Sequence, residues 1–129
     1  MNKEQIIQYY LKSHNVKKLT DFLNDASNNQ ISCLGLIGSS RAYIVAATAE
    51  TIGGHSFVIC SDKEKAAYFY NDLENIYGEK DTDYSKKRIL FYPTSYKRPY
   101  EPEKPDNTYI LSRTEVLQRI TSSERKTII

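Results

Sequence analysis

The sequence predicts an α/β fold, a parallel sheet flanked by helices, from three observations. Apolar runs at 31–37, 56–60 and 88–92 have the length and composition of buried strands. Segments of helical periodicity separate them, the alternation that a parallel sheet with helices on both faces requires. Glycine and proline stops stand at the junctions: Gly53-Gly54, Gly78 and Pro93.

Two helices come first. Ile6, Ile7, Tyr10 and Leu11 form one apolar stripe, and Leu19, Phe22, Leu23 and Ala26 form a second, with His14-Asn15 between them and Asn28-Asn29 at the end. Residues 1–30 therefore read as a helical pair and residues 31–129 as the α/β unit. The run 31–37 is the first strand, and the helix after it, to about Ile52, is apolar on most sides (Tyr43, Ile44, Val45, Ala46, Ala47, Ala49), which predicts deep packing. The run 56–60 is the second strand. Ser61 with Glu64 has the spacing of a capping box, and the helix it starts carries Ala66, Phe69, Tyr70, Leu73, Ile76 and Tyr77 on one face, stopped by Gly78.

Residues 79–87 are charged and loop-like, 88–92 form the third strand, and all four prolines fall in an irregular loop over 93–105. Asp106, Asn107 or Thr108 can cap a last helix built on Ile110, Leu111, Val116, Leu117 and Ile120. Lys126-Thr127-Ile128-Ile129 reads as the start of a further strand, so the expectation is a piece of a longer protein, truncated at its C-terminal strand.

A chain of 129 residues with 40% hydrophobic and 26% charged residues fits one ordinary globular domain, and a formal charge of +2 is too small to argue for nucleic acid or membrane by electrostatics alone. Met1-Asn2-Lys3 opens into polar helical sequence without a signal peptide, and no apolar stretch approaches the ~20 residues a membrane span needs. Cys33 and Cys60 sit inside expected strands and read as buried free thiols. These features predict a cytoplasmic protein with no membrane partner.

The stretch GLIGSSRA, residues 35–42, lies between the first strand and its helix, where a phosphate-binding loop of the Walker A type belongs. Such a loop cradles phosphate in backbone N–H groups, neutralises it with lysine and holds magnesium with a hydroxyl. Gly35 and Gly38 keep the first and fourth positions of that frame. Ser39 follows them, Ser40 replaces the last glycine, Arg41 replaces lysine without its compact ammonium, and Ala42 removes the magnesium hydroxyl. The expected architecture is P-loop NTPase or RecA-like with a degenerate phosphate loop that does not hydrolyse ATP.

Three blocks carry a resemblance: GLIGSSRAYIVAATAE, SFVICSDKEKAAYFYNDLENIYG, and ILFYPTSYKRPYEPEKPDNTYILSRTEVLQRI. In this order they resemble the amino-terminal UvrB-like module of the bacterial transcription-repair coupling factors, the Mfd family, over about 31–129. UvrB itself is similar but has an intact Walker A loop, so the defect favours the coupling factor. The resemblance implies the first subdomain, 1a, of that module. The parent would release RNA polymerase stalled at DNA lesions by ATP-driven translocation on double-stranded DNA, as a superfamily 2 helicase, and recruit UvrA for excision repair. The fragment itself would be a non-catalytic scaffold without cofactors, packed against other domains of the parent. UvrA would bind the adjacent UvrB-like subdomain, polymerase and DNA would bind downstream domains, and ATP and magnesium would belong to the downstream motor.

Two rival readings remain: a nucleotide-binding domain of a UvrB-like helicase, and an α/β binding module for a phosphorylated small molecule. Tyr96, Lys97, Arg98 and Tyr100 interleave aromatics with bases and are candidate nucleic-acid or interdomain contacts, although Glu101, Glu103 and Asp106 lie beside them. His14 and His55 lack metal-ligand spacing, and Ser39-Ser40 has no serine-hydrolase elbow, so no catalytic or metal-binding residue is assigned.

Overall fold

The structure, a computed structural model, describes residues 3–27, 30–94, 107–122 and 126–129. Among these the regular elements are helices: α1 (Lys3–Lys12), α2 (His14–Asn24), α3 (Ser40–Thr51), α4 (Lys63–Tyr77) and α5 (Asn107–Ser122), with a short 3-10 turn at Tyr84–Lys86. Ser13 alone separates the first two, its N–H bonding to the Tyr10 carbonyl at 3.0 Å, so His14 and Asn15 begin α2 instead of dividing the pair.

Helix α3 occupies the centre because its surface is small and apolar. Ala42, Ala46, Ala47 and Ala49 are all buried, and their short side chains let neighbouring helices come close. The α1 helix packs there through Tyr10, stacked on Tyr43 with ring centroids 5.4 Å apart. Val16 and Thr20 of α2 are buried, and the α4 face contributes Leu73 and Ile76. Tyr77 adds a hydrogen bond from its hydroxyl to the Ala46 carbonyl at 3.3 Å. Ile89 and Ile128 complete this core.

The start of α4 is capped by Asp62, one residue later than the Ser61–Glu64 spacing suggests. Its carboxylate accepts the Lys65 N–H at 2.8 Å, while the Ser61 hydroxyl donates to that same carboxylate. Gly78 ends the helix in the left-handed conformation, at φ 71°.

The parallel sheet is where structure overturns sequence. The described residues contain no sheet, so neither the α/β class nor the P-loop NTPase, RecA-like or UvrB domain 1a-like architecture, truncated at a C-terminal strand, describes this chain. The run 31–37 forms no regular element and joins no ladder among the described residues, and Leu34 and Ile37 stand 91% and 83% exposed. Segments 56–60 and 88–92 each meet residues 127–129, through isolated parallel bridges of Ser56 and of Ile89 with Ile128 and through backbone hydrogen bonds of Ser56, Val58, Arg88 and Leu90 to that segment. A helix satisfies its backbone bonds within itself, whereas an extended segment depends on neighbours with successive matching groups. Here 56–60 and 88–92 each share only a few such bonds with residues 127–129, too few to build a named strand among the described residues.

Helix α5 lies apart from the other four. It rests on the extended segments through Val116 and is tied there by Arg119, whose buried guanidinium donates to the carbonyls of Lys87 at 3.0 Å and Ser85 at 2.7 Å. Ile110, Leu111 and Leu117, assigned by their spacing to the buried face, are exposed.

The alanine surface of α3 has a direct test. Ala46 is 0% exposed, so Ala46→Leu is expected to lower stability by about 1–3 kcal/mol through overpacking. Urea unfolding checks this as a lower midpoint with an unchanged slope.

Candidate functional site

The glycine turn lies where the sequence places a phosphate loop, ahead of α3. Gly35 and Gly38 have φ of 78° and 54°, a backbone sign that L side chains rarely adopt. A Cβ at either position would meet nothing within 4 Å, so backbone conformation explains both glycines without a close approach. The next side chains fold back on the turn. The Ser40 hydroxyl donates to the Ile37 carbonyl at 2.6 Å, as does its N–H at 3.2 Å, and Arg41 Nε donates to the Leu36 carbonyl at 3.4 Å. Ser39 precedes α3 without a side-chain capping bond, and Ala42 is 1% exposed within the helical core. The turn thus spends one backbone N–H, the Ser40 hydroxyl and the Arg41 Nε–H on its own carbonyls, and at the position of a magnesium hydroxyl it has a buried methyl group.

The other sequence candidates are dispersed. Tyr96, Lys97, Arg98 and Tyr100 lie outside the described residues. Cys33 and Cys60 are both free, and Cys33 is exposed on the unpaired 31–37 run where burial was expected. His55 follows the Gly54 turn with Nδ1 enclosed and without a partner among the described residues. No group of three or more His, Cys, Asp or Glu side chains among the described residues is arranged to hold a metal ion.

An apolar cleft of about 580 Å³ lies between α4, α5 and the segments 57–61 and 89–92. Its walls include Phe57, Ile59, Phe69, Leu90, Leu117 and Ile129. This volume falls in the range of small-molecule pockets, roughly 300–1,000 Å³. Cation–aromatic contacts bracket one end. Lys63 Nζ bonds the Tyr109 hydroxyl at 3.0 Å and lies 5.3 Å from the ring centroid, and the Arg113 guanidinium sits 5.1 Å from the Tyr92 ring.

Beside the cleft, a buried ion pair joins Lys87 to Glu74, with Tyr70 next to it: Lys87 Nζ lies 3.5 Å from the Tyr70 hydroxyl. Burial first, and the Glu74 carboxylate second, push the Tyr70 phenol far above its ordinary value. Tyr77 is also raised, chiefly by burial and then by Glu50, and burial is the main cause raising Tyr84. These phenols stay protonated through the neutral range and act as neutral hydrogen-bonding groups.

Sequence reasoning missed Arg119 and the cleft. A signal for Arg119 exists: it stands three residues after Val116, on the stripe that should face the core, and four after Glu115, which accepts from it at 2.6 Å. The cleft left no comparable trace, because it arises between segments far apart in sequence.

Comparison with protein-family models, curated proteins and solved structures finds no match to this chain. No helix among the described residues is long and apolar enough to cross a membrane.

Two outcomes follow from the charges. Lys87 and Glu74 side chains are only 9% and 12% exposed, so Lys87→Met alone is expected to cost about 3–5 kcal/mol by leaving an unpaired buried carboxylate. Adding Glu74→Leu should recover most of that loss, as read by chemical denaturation of the single and double variants. Asp62 has its pKa lowered from 3.8, first by the Lys65 N–H bond and then by the Lys65 side chain. A depressed carboxylate contributes stability above its unfolded pKa and loses it as pH falls through the folded one. The thermal-stability advantage of wild type over Asp62→Asn should accordingly be present at neutral pH and disappear with acidification below 3.8.

Proposed function

We propose that this chain is a non-catalytic scaffold module of a bacterial transcription-repair coupling factor. Its three sequence blocks support the family reading; the helical fold does not, because the sheet of the UvrB-like subdomain is absent among the described residues. The observation that supports the non-catalytic part is the self-contained glycine turn. Arg41 and Ser40 bond to carbonyls of their own loop, and Ala42 is buried where a magnesium-holding hydroxyl would be needed. In this reading the chain works in the cytoplasm against other domains of its parent. UvrA, RNA polymerase and double-stranded DNA engage the parent elsewhere, and ATP with magnesium serves the parent's motor.

The two halves of the reading are tested separately. Calorimetric titration with magnesium-ATP is expected to give no saturable heat. Saturable binding that disappears in Arg41→Ala would instead establish a nucleotide-binding domain of a UvrB-like helicase. At the level of the parent, deleting the gene encoding this chain should abolish the faster repair of transcribed strands after ultraviolet damage. An unchanged strand bias in strand-specific excision would remove the coupling-factor assignment.

A further inference from the structure

Helix α5 has an unusual standing in this fold. The buried core consists of Ala42, Ala46, Ala49, Leu73, Ile76, Ile89 and Ile128, and α5 contributes no residue to it. The helices α1 to α4 pack on one another, whereas α5 rests on extended segments. Of its large apolar side chains, Val116 is 1% exposed, while Ile110, Leu111 and Leu117 are 51%, 70% and 56% exposed. Apolar burial therefore holds α5 chiefly at Val116, with Ile120 half-buried one turn further on.

Polar contacts do the remaining fastening, and they are unequal along the helix. Near its C-terminal end, Arg119 is 7% exposed and reaches the Lys87 and Ser85 carbonyls, two acceptors 32 and 34 residues away in sequence. Glu115 accepts from the same guanidinium and holds its orientation. Toward its N-terminal end the ties are surface contacts, Tyr109 with Lys63 and Arg113 with the Tyr92 hydroxyl at 3.3 Å. Such exposed contacts are weak and screened by salt, whereas the buried fork is not.

We infer that α5 is a releasable strap, latched by Arg119 to the carbonyls of Ser85 and Lys87, whose opening uncovers the apolar cleft while the α1–α4 core stays folded. The cleft is bounded on one side by Val116, Leu117 and Ile120 of α5, and on the other by 57–61, 89–92 and α4. Departure of α5 opens one side of Leu73, Ile89 and Ile128, which line the cleft, but does not touch Ala42, Ala46, Ala49 and Ile76, which do not line it, and a persisting core of this kind is the condition for sub-global opening. It exposes Leu90, now 1% exposed, and Ile129 beside the already exposed Phe57, and with them Cys60, a half-buried thiol on the cleft wall.

Amide hydrogen exchange followed by mass spectrometry tests the strap without any variant. Peptides from α5 are expected to exchange well before those from α3 and α4 in the wild-type chain. Arg119→Ala should accelerate α5 about tenfold or more while α3 and α4 keep wild-type rates, the size expected for losing a charged, buried hydrogen-bonding group. Arg119→Lys should fall between the two. In a Cys33→Ser background, iodoacetamide labelling of Cys60 should speed up in step with α5 exchange. Exchange of α5 in one cooperative step with α3 and α4 overturns the inference, and so does a uniform acceleration by Arg119→Ala. Cys60 labelling that ignores the opening of α5 would show that the strap does not cover the cleft. If Arg119→Ala does not fold, the wild-type order of exchange decides.

Discussion

The structure depends on how closely other helices approach α3. That approach is set by side-chain size: the inward positions are Ala42, Ala46, Ala47 and Ala49, and larger residues there would hold α1, α2 and α4 away. Alanine also loses no side-chain entropy on burial, which suits a helix enclosed on several sides. The flanking larger side chains, Tyr10 on Tyr43 and Tyr77 on the Ala46 carbonyl, then seal the edges of the contact. Everything beyond α4 is arranged around this block.

Charge organises what apolar packing leaves undetermined. The segment after α4 has little hydrophobic content of its own, yet it is held at several points. The Glu79 carboxylate accepts the Arg88 N–H at 2.8 Å, and the Arg88 side chain reaches Glu50 at 2.9 Å while lying 4.8 Å from the Tyr77 ring. Lys87 pairs with Glu74, its carbonyl accepts from Arg119, and Tyr84 both donates to and accepts from the Phe91 backbone. Arg88 is thus held in the charged network, while Ile89 enters the core cluster and Leu90 and Phe91 line the cleft. A buried pair contributes little net stability but makes misplacement costly, because each partner would then be left uncompensated.

The same division appears at the glycine turn and at the cleft. The turn is a local object: its two positive φ values and its returning hydrogen bonds lie within eight residues, so its chemistry could be weighed from GLIGSSRA alone. The cleft is a non-local object, bringing together residues near 57, 70, 90 and 117. Lys87, in a run that reads as a charged loop, is buried because Glu74 is beside it, a pairing that no local pattern announces.

By itself the sequence determined the helices, since helical hydrogen bonds close within four residues and leave a periodic apolar stripe. Ser40–Thr51 and Lys63–Tyr77 follow from that stripe and from Gly53 and Gly78, and the composition of GLIGSSRA already argued against a magnesium-nucleotide site. Only the tertiary structure decided the fate of the apolar runs. The segments 31–37, 56–60 and 88–92 have strand composition, but a strand becomes a sheet only when another backbone lies alongside in register. Here residues 127–129 join two of them by a few backbone hydrogen bonds and isolated bridges, and the third has no ladder partner among the described residues.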